Sequence, residues 1–281
     1  MNKRFKSSNC GRQLAAAASF LFISWAGYEC FATTSKEEIP SIAFDEFPYA
    51  IKRFYFFSYH GTSVSEAKHM NDPGPDDFPP HSVVFLEDPR RYPSLEKGRA
   101  VYMMPARNVI RVYDIAAVAT APYKTIQPHI IQLRELLKKR PQTVPSGGKP
   151  GNTYTKYEQL PDYPPRNAGH LVQVHMHYLD ASWGSGLFYV TQFVQGTGEW
   201  PDNEQLVYLF QGVSKNGRFY VAADFRVTYP ALDRPELRQE GEADADALTE
   251  KLSSMMAKDR EEAFTPPLNK IREWVSTFKI E

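Results

Sequence analysis

The sequence predicts an α+β protein in which an antiparallel β-sheet is flanked by helices. Four successive strands are predicted as a meander over 171–228, one amphipathic helix precedes the meander, and two helices follow it. Consecutive strands combined with separate helices are typical of the α+β class. Residues 33–281 are therefore interpreted as one α+β domain, with a Pro/Gly-rich loop at 141–167.

The meander is predicted from residue alternation and turn signals. Its strands are Leu171–Tyr178, Leu187–Gln195, Gln205–Gln211 and Arg218–Thr228. A period of two in the first strand places its apolar side chains on one face: Val172, Val174, Met176 and Tyr178. The second strand is apolar on both faces, which is usual inside a sheet covered on both sides. Asn216-Gly217 accommodates the positive φ angles of a tight turn and predicts a hairpin.

Further elements are predicted on both sides of the meander. The N-terminal part contains three predicted strands: Tyr49–Tyr59, Ser82–Leu86 and Val109–Ile115. His60–Pro80, which is rich in turn residues, is expected to be a surface loop. Apolar residues at helical spacing predict a helix over Thr125–Lys139. After the meander we expect a helix from about 240 to 258, and a last helix with Thr265 as N-cap and Pro266 in its first position. Phe278–Ile280 is a candidate edge strand.

The first 32 residues have the pattern of a secretory signal peptide. Four basic residues precede or flank an apolar stretch at Leu14–Ala26, which is shorter than the roughly 20 residues of a membrane-spanning helix. Small residues at Cys30 and Ala32 suit cleavage before Thr33. We therefore expect a periplasmic or secreted protein with no stable membrane span after cleavage. The alternative is an uncleaved N-terminal membrane anchor.

Charge and cysteine content exclude several classes of function. Removing residues 1–32 leaves 29 basic and 32 acidic residues and a net charge of −3, so nucleic acid is not an expected partner. The chain has two cysteines, Cys10 and Cys30, and both lie in the predicted signal. The exported form would therefore lack disulfides, thiol catalysis and thiolate metal ligands.

One block of the sequence consists of GSGLFYVTQF at Gly184–Phe193 and LVYLFQGVSKNGRFYVAADFRVTYPAL at Leu206–Leu232. This block resembles a family of secreted or lipid-anchored bacterial proteins of unknown activity. Phe188 stands where that family tends to have arginine, and Lys215-Asn216 where it tends to have an acidic residue. The resemblance implies a shared fold and an extracytoplasmic location.

His175 and His177 form the candidate metal site. Residues i and i+2 of a strand share a face, so both imidazoles could reach one Zn²⁺ from the same direction. Asp180 is the candidate third ligand, and His170 lies close by in sequence. The alternative is a polar, solvated strand face.

Five further residues are candidate ligand contacts, each with a structural alternative. They are Trp183, Gln192, Gln211, Asp224 and Arg226. The tryptophan could be anchored in the core, and the two glutamines could fix the strand register. For the two charged residues, which share the outer face of the fourth strand, the alternative is a cross-strand or an i, i+2 surface ion pair worth under about 1 kcal/mol.

The sequence lacks a G-x-S-x-G elbow, an H-E-x-x-H motif, a P-loop and a dinucleotide fingerprint. No cofactor is therefore predicted. We expect a non-enzymatic domain that binds a small ligand or a protein of the cell envelope. The alternative is a metal-dependent hydrolase centred on His175, His177 and Asp180.

Overall fold

The structure is a computed structural model that describes residues 40–44, 55–59, 81–86, 108–118, 126–141, 160–163, 168–196 and 198–281. The predicted signal at 1–32 and the predicted loop His60–Pro80 lie outside the described residues. The same holds for the Pro/Gly-rich tract at 141–167, apart from residue 141 and residues 160–163.

Seven strands of the described part of the chain form one antiparallel sheet. They are β2 Tyr55–Tyr59, β3 His81–Phe85, β4 Val109–Asp114, β5 Gly169–Asp180, β6 Gly184–Val194, β7 Val207–Ser214 and β8 Phe219–Arg226. Their order in the sheet is β2-β3-β4-β8-β7-β6-β5. Strands β5 to β8 are the predicted meander, and β4 pairs with β8, so that the N-terminal strands extend the same sheet. The α+β class with an antiparallel sheet is confirmed.

Both faces of the sheet are covered. Phe188 and Val190 of β6 belong to one core, which the C-terminal helices complete, whereas Leu187 and Tyr189 belong to a second core on the opposite face. The prediction that this strand is interior to a doubly covered sheet is confirmed, because β6 lies between β5 and β7.

The β7–β8 hairpin turns where Asn216-Gly217 predicts it. Gly217 has a positive φ of 72° and its N–H donates to the Ser214 carbonyl at 2.8 Å. Asn216 contributes through its side chain, whose carbonyl accepts from the Ser214 hydroxyl at 2.7 Å and from the Arg218 N–H at 3.0 Å. The turn is therefore fixed by side-chain hydrogen bonds as well as by glycine.

Among the described residues between β4 and β5 there are two helices. Helix α1, Ile115–Val118, is a single turn, and helix α2 spans Ile126–Lys139. Helix α2 buries Ile126, Ile130 and Leu133 against the second core, as its apolar spacing predicts.

The helix predicted after the meander is two helices. Helix α3 spans Leu237–Ala243 and helix α4 spans Ala245–Lys258. Asp244 between them is extended, and its carboxylate accepts from the Ala247 N–H at 2.9 Å as the N-cap of α4. Gly241 of α3 lies against the Trp200 ring, which leaves no room for a Cβ atom.

The predicted start of the last helix is wrong. Helix α5 spans Leu268–Ser276 with Pro267 as N-cap. Thr265 is instead paired with Thr228 through two backbone hydrogen bonds of 2.9 Å, so its backbone is committed to a bridge. The candidate edge strand forms as β9, Lys279–Ile280, and pairs with β1, Ile42–Ala43, in a two-stranded sheet.

Among the described residues, every helix is too short or too polar to cross a membrane. The described residues also contain no cysteine, so no disulfide links them.

Candidate metal centre

The candidate metal centre is built on a bulge in β5, at the edge of the sheet. The pairing of β5 with β6 shifts register between Val174 and His177, and His175 has a φ of 52°. Residues other than glycine seldom adopt this left-handed backbone conformation, and such positions are enriched at functional sites. The surrounding structure therefore holds β5 in an unfavourable backbone conformation at the bulge.

The bulge also reverses which side chains face which core. Val172 and Val174 pack with the C-terminal helices, whereas Met176 and Tyr178 pack on the α2 face. The prediction that these four residues share a face is wrong, because one extra residue in the strand inverts the alternation beyond it.

His175 and His177 nevertheless point the same way. Their rings are stacked with centroids 6.2 Å apart and planes inclined by 25°. The Nε2 atom of His175 lies 2.7 Å from the carbonyl oxygen of Met256 in α4. A carbonyl only accepts, so Nε2 carries the proton and the lone pair of a neutral ring is on Nδ1. An imidazole whose second nitrogen is held in this way is typical of a metal ligand.

Glu261 supplies the third group. It begins a 3-10 turn, Glu261–Ala263, that follows α4, and its Oε1 lies 2.7 Å from His177 Nε2. The pair does not have hydrogen-bond geometry, so the buried His177 nitrogen lacks a well-directed partner. One ligating atom from each of His175, His177 and Glu261 falls within 4.8 Å of the others.

Arg272 of α5 holds the carboxylate of Glu261 from the other side. Its Nη1 lies 2.8 Å from Glu261 Oε2 and donates to the Tyr208 hydroxyl at 3.1 Å. Burial and the Arg272 guanidinium lower the pKa of His177, and they outweigh the opposing effect of Glu261. His177 is therefore neutral near pH 7, the form that binds a metal.

The cluster fits a zinc ion after small adjustments. Ligating atoms on one tetrahedral Zn²⁺ are about 3.3 Å apart, given metal–ligand distances near 2.0–2.1 Å. The 2.7 Å contact of His177 with Glu261 would open slightly, and the remaining separations between ligating atoms are at most 4.8 Å. Three protein ligands leave a fourth position for water or a ligand.

Asp180 and His170 do not join the cluster. The Asp180 carboxylate is bound by Arg140 through contacts of 2.5 and 2.8 Å. His170 is buried, and its Nδ1 lies 2.9 Å from the Thr191 hydroxyl. Glu261 is thus the third group in place of the predicted Asp180. It lies 84 residues after His177 in a stretch without a ligand motif, so the sequence carries no local signal for it.

The five candidate ligand contacts are dispersed rather than gathered in one pocket. Trp183 is buried and donates from its indole to the Val275 carbonyl at 2.9 Å. Gln192 is buried and holds the next loop, because its Oε1 accepts from the Asp202 N–H at 2.9 Å.

Gln211 and Asp224 are also buried. The Nε2 of Gln211 donates to the Tyr163 carbonyl at 3.2 Å, and its Oε1 accepts from the Tyr220 hydroxyl. Asp224 pairs across strands with Arg111 at 3.5 Å, and both side chains are about 5% exposed. The cross-strand pair that was one of the alternatives for Asp224 therefore forms, with Arg111 as partner, but it is buried and not on the surface, and Arg226 is exposed.

No protein-family model, curated protein or solved structure matches this chain. The resemblance of 184–232 to secreted bacterial proteins stays a prediction, and the geometry of the site carries the functional argument.

Proposed function

We propose that this chain is an exported protein of the cell envelope that binds a ligand, and that the ligand is a divalent metal ion held by His175, His177 and Glu261. The export part of the proposal rests on the signal pattern of residues 1–32. N-terminal sequencing of the protein from the envelope fraction tests it: we expect a start near Thr33, and an intact Met1 would contradict it.

One observation carries the metal proposal. Two imidazoles and a carboxylate, from segments far apart in sequence, converge within 4.8 Å of one another at the edge of the sheet. The His177 side chain is 36% exposed, so the cluster lies near the protein surface, although the Nε2 atom itself is covered. Nitrogen ligands combined with one carboxylate suit Zn²⁺ better than Ca²⁺ or Mg²⁺, which prefer oxygen.

Zinc titration of the purified, metal-stripped protein tests the site. We expect one equivalent of Zn²⁺ per chain in competition with a chromophoric chelator. His177→Gln and Glu261→Gln each remove a ligating atom and should weaken binding by about 100-fold or more, beyond the 10–100-fold typical of an outer-shell change.

His129→Gln is the matched control, because His129 lies on α2 and outside the cluster. It should leave zinc affinity unchanged. If the wild type takes up no zinc, or if all three variants bind zinc like the wild type, the metal proposal fails.

A metal-dependent hydrolase is the second candidate. It is favoured by the count of three protein ligands, since catalytic zinc sites keep a position for water. Zinc-loaded protein should then hydrolyse a chromogenic ester or phosphoester, with the activity lost in His177→Gln. Stoichiometric zinc binding without turnover would leave the binding function and exclude this candidate for those substrates.

A further inference from the structure

A second site lies on the opposite face of the sheet from the metal cluster. An open groove of about 520 Å³ runs between the C-terminal half of α2 and the adjoining ends of β6 and β7. Volumes of a few hundred Å³ are typical of small-molecule sites. Arg134 and Lys138 of α2 form one wall, and Lys215 of the β7–β8 turn approaches from the other side.

The acidic residue in the groove does not balance these three cations. Asp180 is the acid among the lining residues, and both of its oxygens are bound by Arg140 at 2.5 and 2.8 Å. The hydrogen bonds from Arg140 hold the pKa of Asp180 below its usual range. The positive charge of the groove is therefore left without an internal counterion.

Two of the three cations lack an acidic partner among the described residues. Neither Lys138 nor Lys215 forms an ion pair with any residue that the structure describes, whereas the neighbouring Lys139 pairs with Glu135 at 3.2 Å. Arg134 donates to the Gly217 carbonyl at 3.3 Å, a neutral acceptor that orients the guanidinium without cancelling its charge.

The helix end accounts for only part of this charge. Basic residues are common near a helix C-terminus, where the dipole amounts to about half a negative charge. Lys138 alone would fit that explanation. Lys215 is outside the helix, however, and its backbone is fixed by the hydrogen bond of its N–H to the Trp183 carbonyl at 2.8 Å. An ordered turn thus presents a cation toward the helix.

The remaining lining defines the shape of a ligand. Leu137 and Val213 supply apolar surface, and the Ser185 hydroxyl adds a donor that has no partner among the described residues. We propose that this groove binds a small organic anion, in which a phosphate or carboxylate group is held by Lys138, Lys215 and Arg134. Its compact body would pack on the apolar lining.

Isothermal titration calorimetry on the full, metal-stripped protein tests the proposal with three probes: glucose 6-phosphate, citrate and uncharged glucose. We expect one or both anions to bind and glucose not to bind. Binding of glucose 6-phosphate alone identifies a phosphate site, and binding of citrate alone identifies a carboxylate site. Affinity should fall as salt is added, because the contacts are partly exposed.

Paired double variants separate a built site from a diffuse charge effect. The double variant K138Q/K215Q should weaken anion binding by about 100-fold, as expected for the loss of two charge-assisted hydrogen bonds. K139Q/K279Q removes the same charge from exposed lysines outside the groove and should stay within about twofold of the wild type. Equal weakening in both variants, or no binding of either anion at millimolar concentration, would overturn the proposal. His177→Gln should leave anion binding unchanged, so the outcome is independent of the metal site.

Discussion

Replacement of Arg272 by glutamine is expected to tighten zinc binding, although Arg272 ligates nothing in the cluster. Its guanidinium lies 2.8 Å from the Glu261 carboxylate, which it shares with His177. A cation in this position orients the carboxylate but repels a metal ion bound to the opposite oxygen. Glutamine keeps an N–H donor for Glu261 and removes the charge.

The size of the effect follows from Coulomb's law. A metal ion on Glu261 would lie roughly 6 Å from the guanidinium, since one carboxylate and one metal–oxygen bond separate them. Repulsion between +2 and +1 at that distance is about 1.4 kcal/mol in a water-like medium, and about four times larger at an effective dielectric constant of 20. The Arg272 and Glu261 side chains are 22% and 18% exposed, so solvent screens the pair only in part and the lower figure is the minimum effect. It corresponds to about tenfold tighter binding.

The assay is zinc competition against a chromophoric chelator, with Arg218→Gln as the charge-matched control. Arg218 pairs with Asp114 at 3.0 Å, away from the cluster, and its replacement should leave zinc affinity unchanged. The reasoning is refuted if Arg272→Gln binds zinc no more tightly than the wild type while Glu261→Gln weakens binding, because the ion would then be insensitive to the cation that contacts Glu261.

Three further predictions concern stability, measured by urea unfolding. Gly241→Ala should cost about 1–3 kcal/mol, because the Cβ atom of alanine would fall 2.4 Å from the Trp200 ring. This clash opposes the helix propensity of alanine, which otherwise favours it over glycine by about 1 kcal/mol, and an unchanged urea midpoint would contradict the packing. Burial lowers the pKa of His129, and the Asp162 N–H donates to its Nδ1 at 3.4 Å. As the pH falls, the unfolded chain therefore takes up the proton first, and the free energy of unfolding should decrease below pH 6.5. A His129→Gln variant with the same pH profile would disprove this contribution. His175→Asn should change stability by no more than about 1 kcal/mol, because asparagine adopts a positive φ readily. His175→Val should cost about 1–3 kcal/mol more, because a β-branched residue does not, and equal stabilities of the two variants would argue against the left-handed backbone.

The sheet was predictable because its signals are local. Strand-forming runs along the meander, glycine at the β7–β8 turn and apolar spacing along α2 each depend on residues a few positions apart, and the structure confirms the four strands, the turn and the helix. The start of α5 was not predictable in this way. Thr265-Pro266 has the composition of a helix start, but pairing of Thr265 with Thr228, 37 residues earlier, takes its backbone out of the helix. Long-range pairing overrides local propensity there.

The candidate site shows the same limit. His175 and His177 are recognisable as a pair from their spacing in a strand, but their third partner is not. Glu261 is brought to them by the path of α4 over β5, which no local pattern encodes. The bulge at His175 is equally hidden, since no glycine or proline marks it, and the alternation of side chains before it predicts a regular strand.

That bulge also makes the two proposed sites physically independent. In a regular strand His177 would face the same core as Gln173, and Tyr178 the same core as Val174. With the extra residue, His177 turns toward Glu261 on the side of the C-terminal helices, and Tyr178 turns toward α2. Tyr178 donates to the Pro141 carbonyl at 3.1 Å, at the end of α2 that carries the cationic groove. The bulge therefore turns His177 toward the C-terminal helices and Tyr178 toward the end of α2 that forms the groove wall. Because the two proposed sites lie on opposite faces of the sheet, loss of zinc binding and loss of anion binding should arise from separate substitutions.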